Sequence, residues 1–209
     1  IAPMIARKLG NALVAPVLPF SVSPAGGVGP KMPGGIELSP DLFQKVNEAV
    51  VDSMVKNGFK NIVLMGDHGG GQVELNRLAT AMDAKYGPQG THVYFCGDLY
   101  EKSRQEFAGW LTSKGLPLSN HAGISDTSTM LYLQPEPERW VRGIYKTTIG
   151  DPVLPPGQQP NPNVPRVNNG VTGDPRPSTS DIGKLVVDMK VNNAVAEINR
   201  LIGRNRARE

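Results

Sequence analysis

The sequence predicts an α/β fold, a mainly parallel sheet covered by helices on both faces. Three observations predict it. Short apolar, β-branched runs at 61–66 ("NIVLMG") and 91–97 ("THVYFCG") alternate with longer stretches whose apolar residues recur at helical spacing, the strand–helix alternation typical of parallel sheets. The 209 residues suffice for one α/β domain with a substantial buried core. Their 39% hydrophobic and 20% charged content is that of a globular chain, not a disordered one.

Each element follows from local chemistry. Ile1, Met4, Ile5 and Leu9 fall at helical spacing, and Gly10-Asn11 stops a first helix over about Pro3 to Leu9. "ALVAPVLPF" reads as a buried strand kept short by Pro16 and Pro19, and Ser21 to Ser39 as a long loop. Ser39 caps the next helix with Pro40 at its first position. The residues Leu42, Val46, Val50, Met54 and Val55 mark its apolar face, and Gly58 ends it. After "NIVLMG" a glycine turn leads to a helix over about Gln72 to Tyr86. "THVYFCG" is followed by a helix through Leu111, and "HAGISDTSTMLYL" by a turn and a helix that Pro135 ends. Residues 151–177, rich in proline and asparagine, lack periodicity and read as a loop or arm of a single domain spanning 1–209. A last amphipathic helix runs from about Thr179 to Ile202.

Composition narrows the function classes. The net charge is only +3, from 22 basic and 19 acidic residues, and the C-terminal Arg204, Arg206 and Arg208 form too short a run to argue for nucleic acid. No apolar stretch approaches the roughly 20 residues a membrane helix needs. A single cysteine, Cys96, excludes an intrachain disulfide framework and leaves the compartment open. The chain begins at Ile1, in or just before a helix, without a recognisable signal sequence, so an upstream segment is expected.

The chemistry concentrates at strand ends, where open parallel sheets place their active sites. In "MGDHGGGQ" (65–72) the turn presents His68 from a strand end, with three glycines leaving room beside it. Imidazole is the commonest metal-binding side chain. The competing readings are a histidine that merely bonds its loop, and a phosphate cradle. The cradle is weak, because neither a G-x-G-x-x-G run nor a Walker lysine is present. Asp98 lies just past the other strand. His121 precedes a small-residue turn, with Asp126 five residues on; a turn followed by a helix can aim both at one site, and a histidine there suits proton transfer. Alternatively, Asn120 and Asp126 simply cap that helix. His92, Trp110 and Trp140 read as structural residues.

Taken in order, the motifs resemble those of the creatininase (creatinine amidohydrolase) family. "APVLPFSVSP", "MPGGIEL", "GFKNIVLMGDHGGG", "HAGISDTSTML" and "GVTGDP" stand in the family's order over about Ala15 to Gly183. The resemblance implies a three-layer α/β/α sandwich, commonly a homo-oligomer, that hydrolyses small linear or cyclic amides with one or two zinc, manganese or iron ions. It assigns His68 to the metal and His121 to proton transfer, and places Asp126 where the family has a glutamate. Asp67, next to His68, is a further candidate ligand or orienting group. Asp67, Gly71 and Asn120 depart from the family pattern. Its first signature, E-x-H-G-x-H-L-P with a following aspartate, supplies most metal ligands in the family and does not occur within 1–209. The expectation is a metal-dependent amidohydrolase acting on a small-molecule amide, without nucleic-acid or membrane partners. The alternative is a binding or assembly protein that keeps the scaffold without catalysis.

Overall fold

A computed structural model describes residues 1–23, 36–154 and 157–206, the side chains of the last three excepted. It is a mixed α/β structure that divides into two compact units, residues 1–102 with 190–209 and residues 103–189. The expected loop at Ser21–Ser39 lies mostly outside the described residues.

The first unit is built around a strand–helix–strand block. Strands β1 (Asn61–Leu64) and β2 (His92–Phe95) pair in parallel, from Asn61 opposite His92 to Leu64 opposite Phe95. Helix α3 (Gln72–Tyr86) connects them and packs on the pair. Its Leu78, Ala79 and Met82 join Ile62, Val93 and Val51 in a core from which water is excluded. Val51 comes from α2 (Pro40–Lys56), which lies against α3. Ser39 caps α2 as expected, its Oγ accepting the Leu42 N–H at 3.3 Å. The buried face of α2, however, is set by Phe43 and Val51, while Leu42 and Val50 are exposed. The polar Asn47, whose amide donates to the Phe43 carbonyl at 2.8 Å, interrupts the true stripe and hides its period.

Short α1 (Ala2–Leu9) buries Ile5 in the same unit. The expected strand "ALVAPVLPF" is absent. No ladder forms over 12–20, and Leu13 and Val17 remain 83% and 76% exposed. Pro16 and Pro19 remove the backbone donors a ladder would need there. Only an isolated bridge, Ser21 to Glu37, follows. His92 is structural: its Nδ1 lies 3.0 Å from Asp83 Oδ1, which also accepts the Val93 N–H.

In the second unit, Phe107 and Leu111 of α4 (Glu101–Ser113) pack with Ile124 of α5 (Ile124–Leu133) and Val186 of α6 (Ser180–Arg206). Trp110 stacks on Phe107 at 5.5 Å between ring centroids, a packing residue as expected, but Trp140 is half exposed. Gly183 of α6 lies so close to the Ser128 carbonyl that no side chain fits there. Among its described residues the stretch 151–177 forms no helix or ladder, but the buried Asp151 pins it. Its carboxylate accepts from Val167 N at 2.9 Å and from the Arg166 guanidinium at 3.2 Å. No helix among the described residues is long and apolar enough to cross a membrane.

Candidate functional site

The first histidine turn leaves β1 at Leu64 and enters α3 through Gly71. Gly71 has φ +87°, which a side chain strains to adopt, and an added Cβ would stand 2.7 Å from Ser21 Oγ and 3.1 Å from the Phe43 ring. Glycine is therefore required by both backbone and space. The turn is held by side chains on either side. Gln72 donates its amide to the carbonyls of Gly66 (2.8 Å) and His68 (2.6 Å), and the Ser21 hydroxyl donates to Gly70 O at 3.1 Å.

On this framework His68 is exposed, with Nδ1 3.3 Å from the Gly70 carbonyl. A carbonyl can only accept, so that contact puts the proton on Nδ1 and leaves the Nε2 lone pair available, the arrangement common in metal-binding histidines. Asp67 is differently placed. Its Oδ1 lies 2.6 Å from the ammonium of Lys190, whose side chain is only 12% exposed. Beyond the neighbouring strand, the Asp98 N–H donates to Glu197 Oε2 at 2.7 Å, and Arg200 bridges Asp98 and Glu197. The buried Cys96 beside them has its pKa raised by desolvation first and by Glu197 second, so it stays a thiol.

The second turn, in the other unit, begins at Ser119. It hangs on the proline-rich stretch through Asn120 N to Thr172 O (3.3 Å) and Thr172 N to His121 O (2.8 Å). Ala122 is left-handed at φ +51° despite its methyl group. What holds it there is Asp126, whose Oδ2 accepts the Ala122 N–H at 2.8 Å, together with Thr127, which donates to Ala122 O at 3.1 Å. Asp126 is thus engaged as a capping carboxylate in the first turn of α5, close to the second of the two roles its sequence position allows. The His121 side chain is exposed.

The residues present can be tested against a divalent metal. His68 offers one poised nitrogen, Asp67 is already neutralised by Lys190, and no three His, Cys, Asp or Glu side chains converge among the described residues. A catalytic zinc site ordinarily has three protein ligands. The described residues therefore do not complete a metal centre, and no catalytic step through a metal is derived from them.

The contacts at these strand ends that the sequence does not flag are those of Lys190, Ser21 and Glu197. Lys190 stands 123 positions from Asp67 on an amphipathic helix, where a lysine carries no local signal. Only the motif glycines hint that something must approach the turn closely, as Ser21 does.

The model of the creatininase family, described as creatinine amidohydrolase, matches residues 1–198. The chain belongs to the creatininase family. Among solved structures it is similar to a tryptophan-to-phenylalanine mutant of creatininase, with 18% identity and TM-score 0.71 over 95% of this chain and 79% of that one. It is also similar to a manganese form of creatininase, with 20% identity and TM-score 0.70 over the same shares. A zinc–zinc form of a glutamate-to-glutamine mutant creatininase matches at 22% identity and TM-score 0.65, over 94% and 78%. At such identity these likenesses establish the fold. No curated protein sequence matches.

Proposed function

We propose that this creatininase-family chain is a metal-dependent amidohydrolase cleaving a C–N bond of a small linear or cyclic amide, on a three-layer α/β/α sandwich. The observation that carries the reading is His68, fixed at a strand end on a turn that frees its Nε2. Zinc–zinc and manganese forms of structurally similar creatininases support a divalent metal. In this reading His68 is one metal ligand, and Asp67 joins or orients it once released from Lys190. The exposed His121 carries a proton to the departing nitrogen, and Asp126 positions that histidine's turn through Ala122. A homo-oligomer fits the exposed apolar Leu13 and Val17.

The test is metal content of the purified protein, wild type beside His68→Ala, followed by turnover on a panel of small amides. Stoichiometric metal that the variant loses supports the hydrolase. A wild type that stays metal-free after reconstitution and turns over no amide ends that reading. The Asp67–Lys190 pair and the incomplete donor set favour a second reading, a binding or assembly protein on the same scaffold. That outcome would give it the ground.

A further inference from the structure

Apart from the two turns, α5 carries beside it a cleft of about 280 Å³. Its floor is a stripe of residues four apart, Ala122, Asp126 and Met130, and its wall includes Trp140, Arg142 and Tyr145. Asp126 and Met130 lie on one face of α5, and Ala122 reaches the same cleft from the turn that precedes the helix. The wall is built rather than draped. Gln134 Oε1 accepts the N–H groups of Trp140 and Val141, both at 3.3 Å, and a 3₁₀ turn, Gly143–Lys146, carries Tyr145. The cleft is shallow and open, mostly apolar with a few polar groups. Its volume falls just under the roughly 300–1,000 Å³ of enclosed small-molecule pockets, room for part of a small molecule lying on the surface.

Charge decides what the cleft would take. The floor's carboxylate is engaged, since Asp126 accepts the Ala122 N–H. Its negative charge is further accommodated at the N-terminal end of α5. Arg142 makes no ion pair or side-chain hydrogen bond among the described residues, whereas the nearby Arg139 faces Glu136 at 3.9 Å. The wall therefore offers one unspent guanidinium beside two aromatic rings. A guanidinium recognises a carboxylate through paired N–H donors, and a half-exposed indole stacks on a planar group.

We propose that this cleft binds the carboxylate-bearing, planar portion of a small molecule, with Arg142 pairing the anion and Trp140 supporting the ring. Ala122 follows His121 directly, so the cleft begins at the turn assigned to proton transfer. Resting on the hydrolase reading, the proposal makes its substrate an amide that also carries a carboxylate. The binding itself is independent of turnover.

The probe is hippurate, an aromatic amide with a free carboxylate, titrated into the full chain by calorimetry and tryptophan fluorescence. Its uncharged amide serves as control. The expected result is saturable binding that the neutral analogue lacks and whose fluorescence signal disappears in Trp140→Phe. Arg142→Gln should weaken it roughly tenfold or more, the loss of a charge-assisted pair, and Arg142→Lys less. Arg142 is exposed, and thermal melts verify that the variants fold. Equal binding by Arg142→Gln, equal binding of the neutral analogue, or no saturable binding overturns the proposal. Hippurate binding without turnover of any amide keeps the cleft and removes the hydrolase; turnover of neutral amides without hippurate binding does the reverse.

Discussion

The two histidine turns solve the same problem by opposite means. At 65–71 the backbone is made pliable by glycine and then tied by the adjacent Gln72 and by two side chains remote in sequence, Ser21 and Lys190. At 119–126 a left-handed alanine is used where glycine would be easier, and its side-chain ties come from the first turn of α5, Asp126 and Thr127. The lesson concerns where precision comes from. The first histidine is positioned by groups remote in sequence, so distant substitutions disturb it. The second takes its side-chain ties from its own helix and its remote tie only through backbone groups at Thr172, so the side-chain substitutions that disturb it are mostly local.

The largest expected effect separates the two histidines. His121→Ala should lower turnover by about 10²–10⁴-fold, the usual worth of a general acid or base, while metal content stays at the wild-type level. His68→Ala should lose both. If metal content is the same in both variants, the division of roles collapses.

Packing tests come next. Gly183→Ala would drive a methyl group into the Ser128 carbonyl and should cost about 3 kcal/mol by urea denaturation. Gly71→Ala should cost about 2 kcal/mol, from its φ of +87° and the Ser21 contact. A Gly71→Ala variant as stable as wild type would show that the first turn can relax, against the tight tie argued for it.

Lys190→Met should destabilise by about 1 kcal/mol, because it leaves Asp67 facing a lost partner at a partly covered site. A double-mutant cycle with Asp67→Asn measures the coupling directly. Coupling indistinguishable from zero would mean that the remote tie holds nothing.

The smallest effect at neutral pH belongs to Asp151, which anchors the stretch carrying the second turn. Hydrogen bonding from Val167 N, then from Arg166 and Asn168, holds its carboxyl below its ordinary value of 3.8. A depressed pKa stabilises the fold above the unfolded value, and that contribution is lost as pH falls through the folded one. Acid titrations of wild type and Asp151→Asn should therefore diverge at pH 5 and above and converge in strong acid. Parallel curves across that range would show the anchor to be uncharged in effect.

Much of this was legible in the sequence. β1, α3 and β2 follow from β-branched runs and turn glycines, and the family follows from five motifs in order, none of which carries it alone. What escaped has physical causes. "ALVAPVLPF" has the composition of a strand, but its prolines and exposure show that composition alone does not pair backbones. In α2 the expected Met54 and Val55 pack on the core, but Phe43 and Val51 take the buried places expected of Leu42 and Val50, because Asn47 sits in that stripe, satisfied by the Phe43 carbonyl. The engagement of Asp67 was invisible because Lys190 is brought to it only by tertiary folding.

That last contact has a consequence for the order of events during synthesis. A ribosome releases the β1–α3–β2 block and its histidine turn long before residue 190 exists, and all of 103–189 is made in between. Domains tend to fold as they emerge, so the nascent first unit holds Asp67 without its ammonium partner and Cys96 without the Ala194 carbonyl that later faces its sulfur at 3.9 Å. The latch on the turn closes only when α6 returns to it, so a lysine translated 123 residues later finishes a site begun at β1.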